Sequence, residues 1–108
     1  MRETQFVQIA KALADPTRKR MLDKIREAGS LTCTQVCACF ARSQPTISHH
    51  VKTLEAAGLV SVRREGAFHI LTVDEETLAA FAARLLPQGV PVKTGRSKGR
   101  GGRGAGTT

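Results

Sequence analysis

At 108 residues the chain is long enough for one domain with one modest core. Its 17 lysines and arginines against 9 acidic residues leave a net charge of +8, which points to a polyanionic partner, nucleic acid or an anionic membrane surface. The lack of Trp and Tyr argues against a surface that stacks single-stranded bases, and no stretch is long and apolar enough to cross a bilayer.

Residues 1–10 interleave Arg2, Glu3, Gln5 and Gln8 with apolar side chains and lack the apolar run of a signal peptide, which predicts a cytoplasmic protein. In that reducing compartment the three cysteines are expected to be thiols. Residues 3–14 place Phe6, Ile9, Ala10 and Leu13 on one helical stripe. Asp15 and Pro16 then supply an N-cap and a first-turn proline for a second helix that carries Met21, Leu22 and Ile25 inward and ends at Gly29. Residues 34–41 read as a short third helix, with Val36 and Phe40 inward and Thr32 or Thr34 as its cap. After a break at Arg42-Ser43, Ser43 caps a fourth helix with Ile47, Val51 and Leu54 on its inner rib, stopping at Gly58. Two short helices joined by so tight a turn are a helix-turn-helix signature.

Apolar-rich runs at 59–62 and 68–73 flank Arg63-Arg64-Glu65-Gly66, which predicts a β-hairpin with a basic tip. Asp74 caps a last helix with Glu75 and Glu76 in its first turn and an apolar stripe of Leu78, Phe81 and Leu85. The alanines beside that stripe allow close approach of another helix. The expected fold is therefore mainly α with a small β-hairpin, in the order α-α-α-α-β-β-α, over residues 1–86. Residues 87–108 are Gly-rich and carry Lys93, Arg96, Lys98, Arg100 and Arg103 without an acid, which predicts a disordered basic tail. It is either a non-specific anchor on nucleic acid through counterion release or a solubilising end.

Three segments now stand together: Lys11-Ala12-Leu13-Ala14-Asp15-Pro16-Thr17-Arg18, Ser43-Gln44-Pro45-Thr46-Ile47-Ser48-His49-His50 and Leu54-Glu55-Ala56-Ala57-Gly58-Leu59-Val60. With the wing Arg63-Arg64-Glu65-Gly66, they resemble the ArsR/SmtB family of bacterial repressors over roughly residues 5–86. The resemblance implies a winged helix-turn-helix homodimer built on the first and last helices, here through Phe6, Ile9, Leu78, Phe81 and Leu85. It also implies a recognition helix in each major groove of double-stranded operator DNA, and release on sensing a metal, metalloid or oxidant, although some members sense no metal.

The outer face of the fourth helix offers Gln44, Thr46, Ser48, His49, Lys52 and Thr53, short donors and acceptors suited to base edges and phosphates. Gln44 can pair with adenine through two hydrogen bonds, and Ser43 and Thr46 can bond phosphates. The resemblance places Gln44, Thr46, Ser48 and His49 at the family's recognition positions. Arg63 and Arg64 are expected to reach phosphates or the minor groove from the hairpin tip. Arg18, Lys19 and Arg20 either face the DNA backbone or form a solvated helix face.

Cys33, Cys37 and Cys39 fall where many family members hold thiolate ligands for arsenic, cadmium or lead. Counted back from Gln44, however, the family's Cys-x-Cys pair corresponds to Thr32 and Thr34, and only Cys37 matches a third thiol of some arsenic sensors. On a regular helix Cys33 and Cys37 share a face while Cys39 points away, so three thiolates do not converge from one helix. Arsenite or soft-metal binding, redox sensing and simple packing all stay open, and no cofactor is required. Cys39 reads as a small core residue beside Phe40. No His follows His69, which argues against the family's zinc site on the last helix; His49 and His50 point to different sides, and His69 reads as a surface or partly buried strand residue. No catalytic constellation is present, so an enzyme is not expected. The alternative to a DNA-binding regulator is a winged-helix adaptor for protein or RNA, which would tend to expose apolar anchors where this helix shows Gln44, Thr46, Ser48 and His49.

Overall fold

The computed structural model describes residues 1–86. The expected tail at 87–108 lies outside the described residues. Five helices and three strands follow in the order α1 (Glu3–Leu13), α2 (Pro16–Ala28), β1 (Leu31–Thr32), α3 (Cys33–Phe40), α4 (Gln44–Ala56), β2 (Val60–Glu65), β3 (Phe68–Val73) and α5 (Glu75–Ala83).

Local chemistry sets most of the boundaries. Asp15 accepts from the Arg18 N–H, and Pro16 occupies the first turn of α2, where a missing donor costs nothing. Thr32, rather than Thr34, caps α3 in a reciprocal box with Gln35. Ser43 caps α4 and Asp74 caps α5, each accepting from the N–H three residues on. Ala41 ends α3 in the left-handed region at φ 50°, which reverses the chain into Arg42 and Ser43. An alanine there costs roughly 1 kcal/mol, and it leaves only three residues between the helices of the helix-turn-helix.

The core gathers Ile9 and Ala12 of α1, Met21, Leu22 and Ile25 of α2, Val36 of α3, and Ile47, Val51 and Leu54 of α4. Leu59, just before β2, with Val60 and Leu71 of the sheet and Phe81 of α5, closes it. Ala10, expected on the apolar stripe of α1, is exposed, because Ala12 takes the inward position instead. The strands form one antiparallel sheet in the order β1-β3-β2. β1 pairs Leu31 with Leu71 and Thr32 with Ile70; two residues are too few to leave a periodicity in the sequence, and the hairpin expectation lacked this third strand.

The hairpin is longer than expected. Arg63, Arg64 and Glu65 continue the ladder opposite Ile70, His69 and Phe68, so the turn is Gly66-Ala67 and not the arginines. Gly66 turns at φ 59°, as a two-residue hairpin loop requires. α5 is shorter than its apolar pattern: it ends at Ala83, and Leu85 lies beyond it, 58% exposed.

Candidate nucleic-acid interface

α4 buries Ile47, Val51 and Leu54, and that rib turns the other side of the helix to solvent. Gln44, Thr46, His49 and Lys52 are exposed and Ser48 is half-buried, so the structure brings the expected recognition residues onto one helix with their polar ends accessible. Ser43 and Thr46 are coupled: the Thr46 N–H donates to Ser43 Oγ at 3.4 Å and the two hydroxyls are 2.9 Å apart. The first turn of α4 also lies at the positive end of its helix dipole, a suitable neighbour for phosphate.

Gln44 has a contact that its sequence position did not disclose. The Cys37 thiol of α3 donates to Gln44 Oε1 at 3.6 Å. The same side chain that is suited to an adenine edge therefore rests on a sulfur of the preceding helix. Cys33, one turn before Cys37, is buried, and burial first and the neighbouring Cys37 second push its thiol pKa up. That keeps Cys33 protonated and a poorer nucleophile. Cys39, expected beside Phe40 in the core, is instead exposed, because its position on α3 points away from the Cys33–Cys37 face. Among the described residues no group of three His, Cys, Asp or Glu side chains comes together to hold a metal.

The arginines separate by role. Arg63 is bound through Nε to Glu65 at 2.9 Å, an exposed pair on the strand, and this partly neutralises it. Arg64 is exposed opposite His69, which is likewise exposed. Of the basic run in α2, Lys19 pairs with Asp23 at 2.7 Å and Arg20 is exposed. Arg18 turns the other way. Its Nε donates to the Ala12 carbonyl at 2.7 Å, and Nη1 lies 3.3 Å from His50 Nδ1 on α4. Burial lowers the His50 pKa; Arg18, His49 and Arg42 act in the same direction, while Asp15 opposes them. A neutral His50 accepts from the Arg18 guanidinium at Nδ1. Arg42, in the turn before α4, donates to the buried Thr17 hydroxyl at 3.5 Å and so ties the helix-turn-helix to α2. Neither Arg42 nor Lys11 was singled out from the sequence. The charged run at 18–20 was the available signal for Arg18, and it does not reveal which way each side chain turns.

Of the residues expected at a partner face, Ile9 is fully buried within the protomer, out of reach of a partner. Phe81 is only 9% exposed because its ring stacks on Phe6 with centroids 4.9 Å apart. Phe6 and Leu78 are half-buried against the core, whereas Val7, Leu85 and Leu86 of the same end of the molecule are exposed.

A helix-turn-helix with an outward polar second helix and a β-hairpin wing defines the class: a DNA-binding transcriptional regulator. Residues 13–63 match the family model described as a helix-turn-helix domain. An uncharacterised HTH-type transcriptional regulator of Methanocaldococcus jannaschii is 36% identical over 69 residues, 64% of this chain and 78% of that protein. The arsenical resistance operon repressor of Staphylococcus xylosus is 40% identical over 75 residues, 65% of this chain and 66% of that one. That of Escherichia coli is 30% identical over 82 residues, 76% of this chain and 69% of that one. Among solved structures, an ArsR family transcriptional regulator superposes with a TM-score of 0.71 at 27% identity, covering 79% of this chain and 87% of that one. A homodimeric winged helix-turn-helix DNA-binding domain from Mycobacterium bovis superposes with a TM-score of 0.66 at 26% identity, covering 76% of each chain. The chain belongs to the ArsR family of winged helix-turn-helix transcriptional repressors. That is a family of regulators, not of enzymes, and among the described residues no helix is long and apolar enough to cross a membrane.

Proposed function

We propose that the protein is a homodimeric repressor that binds double-stranded operator DNA through α4 of each protomer. The observation that carries this is the polar, accessible face of α4, with Gln44, Thr46, Ser48, His49 and Lys52 set on the rigid rib of Ile47, Val51 and Leu54. Gln44 reads a base edge, Ser43 and Thr46 hold phosphates near the helix N-terminus, and Arg64 of the hairpin meets the flanking backbone. Arg63 contributes less because Glu65 occupies it. Exposed Val7, Leu85 and Leu86 beside half-buried Phe6 and Leu78 support a partner face on α1 and the end of α5. The adaptor reading loses ground because the outer face of α4 exposes no apolar anchor.

The Cys37–Gln44 contact favours a thiol-reactive signal, whether arsenite, a soft metal ion or an oxidant. A larger or charged group at that sulfur displaces Gln44 from its resting position at the start of α4. The test is fluorescence anisotropy of the reduced protein on the duplex upstream of its own gene, compared with random duplex, followed by arsenite, zinc, cadmium and peroxide in turn. Tighter binding to the upstream duplex supports the repressor, and release by one of the four supports the thiol signal. Affinity equal to that for random DNA overturns the reading for that site, and tight binding that none of the four reverses overturns the thiol signal.

A further inference from the structure

The cations of the described residues differ in whether a carboxylate holds them. Lys19, Lys24, Arg26 and Arg63 are each held by a carboxylate, of Asp23, Glu27, Glu75 and Glu65 respectively. Arg2, Lys11, Arg18, Arg20, Arg42, Lys52, Arg64 and Arg84 have no such partner among the described residues, and three of them, Lys11, Arg18 and Lys52, line one groove between α1 and α4, together with His49. The groove has a volume of about 390 Å³, and no acidic side chain lines it. Ala56 is the small residue of its α4 wall, which leaves room for a backbone to approach. Asp15 interacts with Arg18 from outside the groove, and the two lysines are solvated, so the groove presents a net positive surface that attracts an anion.

The groove is also built rather than incidental. Gln5 Nε2 of α1 donates to the Ala57 carbonyl at the end of α4 at 3.3 Å, which fixes the spacing of the two helices at that end. At the other end the Arg18 guanidinium is immobilised on the Ala12 and Lys11 carbonyls and His50 Nδ1. Arg18 therefore acts as a fixed positive charge in the groove, while Lys11 and Lys52 are exposed and free to reach. His49 and Lys52 belong to the face of α4 already described, so the groove continues that face directly onto α1.

We propose that this α1–α4 groove seats phosphates of the DNA backbone, with Lys11 and Lys52 as donors and Arg18 as the fixed charge between them. The inference rests on the reading of the chain as a DNA-binding regulator and extends its footprint to α1, which otherwise serves only packing and assembly. Phosphate contacts position the protein and carry no sequence information. Each also releases condensed counterions, contributing a slope of about 0.9 in log K against log salt.

The experiment is anisotropy of the full chain on the upstream duplex and on a random duplex, over salt from about 50 to about 200 mM. Lys11→Gln and Lys52→Gln are each expected to lower the magnitude of the slope by about one. They should weaken binding to both duplexes by the same factor. Over that salt range each variant then loses roughly threefold less affinity than the parent. Lys24→Gln, which removes a cation already paired with Glu27, leaves the slope unchanged. A parent slope retained by Lys11→Gln overturns the proposal. Because backbone contacts are read equally well on random DNA, a protein that shows no preference for the upstream duplex fails the repressor reading while the groove remains measurable. Circular dichroism confirms that the exposed substitutions leave the fold intact.

Discussion

Replacing Gly58 by alanine tests how α1 is held against α4. Gly58 sits after α4 at φ 84°, a conformation that costs an L-residue about 1–2 kcal/mol. A Cβ there would also lie 2.8 Å from Gln5 Nε2, the atom that donates to the Ala57 carbonyl. Gln5 can swing aside, but it then gives up that hydrogen bond, worth about 1 kcal/mol. A Gln5→Ala background offers the control, because it removes the side chain that a Gly58 Cβ meets and leaves the backbone strain in place. Gly58→Ala in that background therefore reports the backbone strain alone, and Gly58→Ala in the parent the strain plus the loss of the Gln5 bridge. The fall in Tm caused by Gly58→Ala should be about 4–8 °C larger in the parent, the shift expected of about 1 kcal/mol in a domain of this size. Thermal unfolding followed at 222 nm, at one protein concentration because assembly stabilises, reads the difference. Equal falls in the two backgrounds would refute the claim that Gln5 presses over Gly58.

Gln44→Ala is expected to cost about 1–3 kcal/mol of specific binding and to relax base preference at one operator position, read by anisotropy on a panel of single-base variants; an unchanged preference removes Gln44 from the reading set. Leu85→Glu, at a residue the protomer leaves 58% exposed, should convert a dimer to monomer in sedimentation without unfolding it. A charge at Phe81 is the poorer probe, since that ring packs on Phe6 within the protomer and its loss also destabilises the fold, by about 3–5 kcal/mol. Because the folded state holds the His50 pKa below its ordinary value of 6.5, the unfolded chain takes up the proton first as pH falls. Stability is therefore full above that value and declines as pH drops from it toward the lowered folded pKa. Between pH 7.5 and 5.5 the urea midpoint should fall less for His50→Gln than for the parent, and equal falls would show that folding does not lower the His50 pKa.

The parts of this protein that can be read from its sequence are those decided over three or four residues. Asp15, Ser43 and Asp74 cap their helices because a side-chain oxygen reaches an N–H one turn on, whatever the rest of the chain does. The Ile47, Val51 and Leu54 rib follows from helical period, and it determines by exclusion that Gln44, Thr46 and His49 face outward. Pattern alone misplaced the arginines of the wing, because where a ladder stops depends on what the opposite strand offers: Ile70 and His69 kept Arg63 and Arg64 paired. It also assigned Ile9 and Phe81 to a partner, since an apolar side chain looks the same whether its own core or a second copy covers it. The meeting of Cys37 with Gln44, of Arg18 with His50, and of Lys11 with Lys52 across one groove joins residues on different helices. Those pairings come from how α1, α2, α3 and α4 pack around one core, and only the tertiary structure decides which charges and which thiol stand beside the helix that meets DNA.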